Sequence, residues 1–279
     1  MTAKTIRSGR LGKIDLRLVD MNGVLHGVAD EGAKRIAHIQ GESAESADQV
    51  WTRLQDEVAK RSVGYFGYDG ARSRFLKYFP GGFSSDAYLG TSDGKGAGER
   101  AYKMRAKALL DELAPLEAAA TGTGYGAAVR RVFQATNMLS PFEKPRIGDV
   151  LKGPNADAFV RGAARFALGD VEAGLAEMEK AAKADGAAKW IVATYLPFLW
   201  RPDVHVFLKP EVTKDYAERV GHRYGDVYEP ALRPEIYESL RDLYAKTGAA
   251  IADLSPRDNI DLQSFIWVVG EYTDENQPA

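Results

Sequence analysis

Apolar and polar residues alternate through residues 13–20 (Lys-Ile-Asp-Leu-Arg-Leu-Val-Asp), the period of a strand with one buried face. Asn22-Gly23 follows, a pair that tolerates the positive φ angles of a tight turn, and Val24 to Val28 returns beyond it, so this stretch predicts a β-hairpin. The period then changes. Val50, Trp51, Leu54 and Val58 recur at helical spacing within residues 45–61, behind the capping candidates Ser43 and Ser46. Residues 71–79 predict a short helix stopped by Pro80-Gly81-Gly82, and a Gly/Ser/Asp-rich loop at 90–98 leads to helices at 99–113 and 127–136. Residues 155–168 and 171–183 predict a helical hairpin turning at Gly169-Asp170, and 187–195 another apolar helix.

Further on, His205-Val-Phe-Leu208 lies between Pro202 and Pro210, short and apolar enough for a strand or a buried connector. Helices are expected at 212–220 and 234–253, and Ser255-Pro-Arg-Asp258 has the order of a helix start: a cap, a proline and an acid. Residues 260–269 are β-branched and aromatic and fit either a helix or a buried strand. Three prolines and two glycines in residues 141–154 make this segment the expected boundary between two parts. The expected fold is mainly α, with a small N-terminal β-hairpin and one further short strand near His205. Residues 1–140 form an N-terminal part with the hairpin and a basic helical region, and 155–279 a C-terminal helical part.

Composition supports a packed core: of 279 residues 45% are hydrophobic and 27% charged, the balance of a globular chain rather than a disordered one. The absence of cysteine excludes disulfides, thiolate nucleophiles, Cys-ligated zinc and iron–sulfur clusters. Lys4, Arg7 and Arg10 are not followed by an apolar signal-peptide core, and no apolar run approaches a membrane span, so the cytoplasm is the expected location and no membrane the expected partner. The net charge of −2 hides an asymmetry. Residues 60–107 hold ten Lys/Arg against four Asp/Glu, whereas residues 226–279 hold four against eleven.

Chemical motifs are sparse. Gly122, Gly124 and Gly126 follow a predicted helix rather than a strand and lack dinucleotide spacing, so they fit a helix–helix linker better than a phosphate loop. No two of the four histidines stand at the i, i+4 spacing of a helical zinc site. Asp203, Glu211 and Lys214 have the residue types of a metal-dependent nuclease but not its spacing. His205 would need Asp258 or Asp261 beside it to act as a general base. No cofactor and no metal is implied, and the question of catalysis stays open.

The basic, aromatic segment carries the leading expectation. Arg72, Arg74 and Lys77, then Lys103, Arg105 and Lys107, fall on two predicted helices, with Tyr65, Tyr68 and Tyr78 available to stack. Cations neutralise phosphates and aromatic faces stack on unpaired bases, so this mixture suits a nucleic-acid-binding accessory protein, DNA ahead of RNA. The bland alternative makes the aromatics core and the charges its solvated face. A protein-interaction module, docking a protein partner through the acidic C-terminal part or the proline-rich surface near Trp200, is the rival class. A hydrolase with a site around Asp203, His205, Lys209, Asp258 and Asp261 is the third.

Four strings, Tyr68 to Phe83 (YDGARSRFLKYFPGGF), Tyr195 to Pro202 (YLPFLWRP), Val206 to Thr213 (VFLKPEVT) and Asp261 to Val269 (DLQSFIWVV), together resemble an uncharacterised bacterial protein family of unknown function. The resemblance spans most of the chain and implies a bacterial cytoplasmic origin, with no activity or site residue to carry over.

Overall fold

The computed structural model describes residues 4–11, 14–61, 67–90 and 98–273. Along the chain the elements are β1 (Lys4–Leu11), β2 (Ile14–Met21), β3 (Val24–Glu31), β4 (Lys34–Gln40), α1 (Ala47–Arg61), α2 (Gly67–Tyr78), α3 (Asp86–Leu89), α4 (Ala101–Leu113), α5 (Leu116–Thr121), α6 (Gly126–Gln134), α7 (Glu143–Val150), α8 (Ala156–Ala167), α9 (Val171–Ala182), α10 (Trp190–Ala193), α11 (Tyr195–Trp200), α12 (Pro210–Arg219), α13 (Tyr224–Val227), α14 (Pro234–Ala250) and α15 (Asn259–Glu271). The fold is mainly α with one antiparallel sheet at its N-terminal end, ordered β1-β2-β3-β4.

The expected hairpin is the centre of this sheet. Asn22 (φ 59) and Gly23 (φ 82) turn the chain, and the Asp20 carboxylate accepts the Gly23 amide at 2.7 Å. Two more strands flank it, β1 and β4, where only a hairpin was expected. Their sequences, KTIRSGRL and KRIAHIQ, are crowded with charge and show no clean alternation, so their pairing is set by the central strands rather than by their own pattern. The further strand expected at 205–208 is absent. There the Val206 amide donates to Tyr237 Oη at 3.1 Å and the Leu208 amide to Thr194 Oγ1 at 3.0 Å, so side chains take the donors that a neighbouring strand would have taken.

The chain divides into two compact units, one of residues 1–73 and 214–226 and one of residues 74–213 and 227–279. In the first, Ile14, Leu16, Leu18, Ala29 and Ala37 of the sheet pack on Val50, Trp51, Leu54 and Val58 of α1. The start of α1 is closed by a reciprocal cap, Ser46 N to Gln49 Oε1 at 2.8 Å and Gln49 N to Ser46 Oγ at 3.3 Å.

The second unit is helical. Residues 141–154, expected as a boundary, lie inside it: α7 accepts Pro145 in its first turn, where a missing amide costs no helical bond, and buries Ile147 and Val150. The α8–α9 hairpin turns at Gly169 (φ 112), and Asp170 caps α9 by accepting the Ala173 amide. Helix α15 settles the reading left open for 260–269. Ile260 to Val269 are buried on every side except at Trp267, which makes α15 the central helix of this unit. It starts three residues later than the Ser255 signal, because Asp258 itself accepts the Ile260 and Asp261 amides, while Ser255 takes a left-handed turn at φ 54. Among the described residues no helix is long and apolar enough to cross a membrane.

Candidate functional site

Tyr65 lies outside the described residues. Tyr68 and Arg72, on α2 in the first unit, are half-buried. In the second unit Arg74 donates to the carbonyls of Val269 at 2.9 Å and Tyr272 at 2.6 Å, closing the C-terminal end of α15. Lys77 is exposed, with its ammonium 5.3 Å from the Tyr78 ring centroid. Lys107 bonds Asp111 at 2.8 Å and the Trp200 carbonyl at 3.2 Å, and Arg105 is exposed. Lys103, expected to face phosphate, has 0% exposure, and its ammonium donates to Glu99 at 3.0 Å and Ser264 at 2.7 Å. A lysine so enclosed keeps its charge only beside a carboxylate, and its donors are no longer available to a ligand outside. The aromatic residues of this stretch follow the bland alternative: Phe75, Phe79 and Phe83 are buried, with Phe75 4.8 Å from Phe83 and 5.1 Å from Phe265 between ring centroids.

The His205 site does not assemble. The ring is buried, Nε2 meets the Ala167 carbonyl at 3.0 Å and must carry the proton, and Nδ1 therefore accepts from Tyr237 Oη at 3.1 Å. Burial holds the imidazole below its ordinary pKa, so it stays neutral. Asp258 and Asp261 are held elsewhere. Arg100 grips Asp258 through both nitrogens at 2.8 and 2.6 Å, and Asp261 accepts from Arg100 at 2.6 Å and from Tyr88 Oη at 2.5 Å. Asp203 pairs with Arg201 at 3.2 Å in solvent. Among the described residues no three His, Cys, Asp or Glu side chains converge as a metal site.

The glycine trio is a packed linker. The Gly124 amide donates to Asp157 at 2.7 Å, and a Cβ on Gly126 would meet the Leu151 carbonyl at 2.4 Å.

What the second unit does contain is an open cleft of about 490 Å³, within the range of small-molecule sites. One wall is a stripe of α15, Gln263, Trp267 and Glu271, brought onto one face by their i, i+4, i+8 spacing. Glu99, Tyr102, the 135–138 loop, Phe207 and Lys209 line the rest of the cleft. The Glu99 carboxylate is fully engaged: Oε1 accepts from Tyr272 Oη at 2.6 Å, and Oε2 from Lys103 at 3.0 Å and Tyr102 Oη at 3.4 Å. Burial and the Glu99 charge raise the Tyr102 and Tyr272 phenols well above their ordinary range, so both remain protonated donors. Burial pushes the Lys103 amine down, and Glu99 opposes that shift. This cluster is a rigid floor rather than a set of free catalytic groups.

Two lining groups are not spent in this way. The Lys209 ammonium lies 3.5 Å from the Trp267 ring centroid with no carboxylate within ion-pair distance among the described residues. Gln263, 6% exposed, has a buried Oε1 without a hydrogen-bond partner among the described residues. Lys209 was visible in the sequence only as part of the His205 alternative. Gln263, Trp267 and Glu271 were missed, and their helical spacing would have revealed them once 260–269 was taken as a helix. Compared with protein-family models, curated proteins and solved structures, the chain finds no match in any of the three.

Proposed function

We propose that the second unit binds a small molecule carrying an anionic group in the Trp267 cleft, with Lys209 supplying the counter-charge. The observation behind this reading is the ammonium of Lys209, half-buried in the cleft with no carboxylate within ion-pair distance among the described residues, whereas Arg100, Lys103 and Lys107 in the same unit each hold one. A half-buried ammonium whose surrounding carboxylates Glu271, Glu143 and Glu99 form no ion pair with it among the described residues leaves room for an anion brought in by a ligand, and the unpartnered Gln263 oxygen favours one that also donates a hydrogen bond. Small carboxylates and phosphomonoesters screened by ligand-observed NMR test it. At least one should bind the protein, and Lys209→Met should weaken that binding about tenfold or more. A panel that fails to bind, or binds the variant equally well, rejects the reading.

Nucleic-acid binding is the second reading, DNA ahead of RNA, and it now rests on Lys77 and Arg105, the exposed cations among those expected in the second unit. Anisotropy of a labelled duplex at low salt should then fall when both are changed to Ala; binding unaltered by that pair removes its basis. We place either activity in the cytoplasm, on the cysteine-free sequence.

A further inference from the structure

The geometry points to Lys209 as a reactive amine: the cleft takes aldehydes or ketones that carry an anionic group and holds them as an imine on Nζ. This rests on the small-molecule reading above and names its ligand class.

Lys209 is the amine among the lining residues, since Lys103 lies behind the Glu99 floor with its ammonium bonded to Glu99 and Ser264. A lysine attacks carbonyl carbon only when its nitrogen has shed its proton, and a carboxylate partner would hold that proton in place. Lys209 has no such partner within ion-pair distance among the described residues. Burial lowers its pKa below the ordinary lysine value, against the opposing charges of Glu271, Glu143 and Glu99 and with help from Lys103.

The step balances without a further reactant. The Nζ lone pair forms the N–C bond, the carbonyl π pair moves to oxygen, and that oxygen leaves as water with two protons drawn from the ammonium. The product is a protonated imine that keeps one positive charge. The indole face of Trp267, 3.5 Å from Nζ in the free protein, suits that cation as it suits the ammonium. One helical turn before Trp267, the unpartnered Gln263 oxygen is an acceptor for the hydroxyl of the carbinolamine intermediate. The anionic group of the ligand stays beside the charge that recruits it.

Glyoxylate is a sufficient probe, the full chain being incubated with it and cyanoborohydride near neutral pH and the modified lysines mapped by mass spectrometry. Lys209 should be alkylated several-fold faster than the exposed Lys180 and Lys183, because burial lowers its pKa and leaves more of its nitrogen free of the proton. Lys209→Arg should lose the label and keep reversible glyoxylate binding by NMR, because the charge is retained. Labelling of Lys209 no faster than Lys180 and Lys183 overturns the imine. In that case retained anion binding that Lys209→Met abolishes leaves the small-molecule reading standing, whereas anion binding indifferent to Lys209→Met removes both.

Discussion

At the scale of single residues, a costly placement in the second unit is Lys103, whose charge is tolerated because Glu99 and Ser264 accept hydrogen bonds from its ammonium. Breaking a buried pair from one side leaves the other charge without compensation. Lys103→Ala should therefore destabilise the protein by about 3–5 kcal/mol in urea unfolding. A loss within the scatter of exposed sites would mean that the two tyrosines satisfy Glu99 alone. Asp30, on the sheet of the first unit, gives a pH dependence. Arg35, and to a lesser degree Arg17, hydrogen-bond its carboxylate and hold its pKa below the ordinary 3.8, against the opposing effect of burial. A folded pKa below the unfolded one contributes stability that is present above 3.8 and is lost as pH falls through the lower folded value. Asp30→Asn should accordingly flatten the acid limb of a stability–pH curve measured by denaturant midpoints, and an unchanged limb would contradict the assignment.

At the scale of elements, α8 and α9 approach closely because glycines face each other. A Cβ on Gly174 would lie 2.7 Å from the Gly162 carbonyl oxygen and from the Phe166 backbone nitrogen, so the backbones would have to part. Gly174→Ala should cost about 1–3 kcal/mol. Gly148, inside α7, is the control: its Cβ would meet nothing within 4 Å, and Gly148→Ala should add about 0.5–1 kcal/mol through helix propensity. Opposite signs in thermal melts of the two variants are the expected result. The α8–α9 hairpin was legible in advance because Gly169-Asp170 carries its own turn and cap. By contrast, β1 and β4 carry no comparable local signal, and the capping of α15 by Asp258 is reinforced from Arg100, more than a hundred positions away.

At the scale of the whole molecule, the two units follow a division that no composition change announces. The first unit closes with residues 214–226, and Arg10 reaches Asp226 at 3.6 Å there. The cluster between its sheet and α1 runs from Ile14 to Val58, while Tyr216, Ala217, Val220 and Tyr224 are buried as well. A fragment of residues 1–73 should keep the sheet and α1, with reduced stability, as read by circular dichroism and NMR dispersion; an unfolded fragment would show that 214–226 is required. What the sequence by itself determined is what neighbours in the chain can settle: the Asn22-Gly23 turn, the Ser46 cap, the helical hairpin and the apolar face of α1, since each depends on residues at most a few positions apart. The tertiary structure decided which charges lie inside. Lys103 is core because Ser264, 161 positions later, packs against it, and the cleft exists because Glu99, Lys209 and Gln263 are carried together by helices and connectors with no local signal in common. Burial and pairing are properties of folded neighbours, so a basic segment that looks like a surface in the sequence contributes one of its lysines to the interior instead.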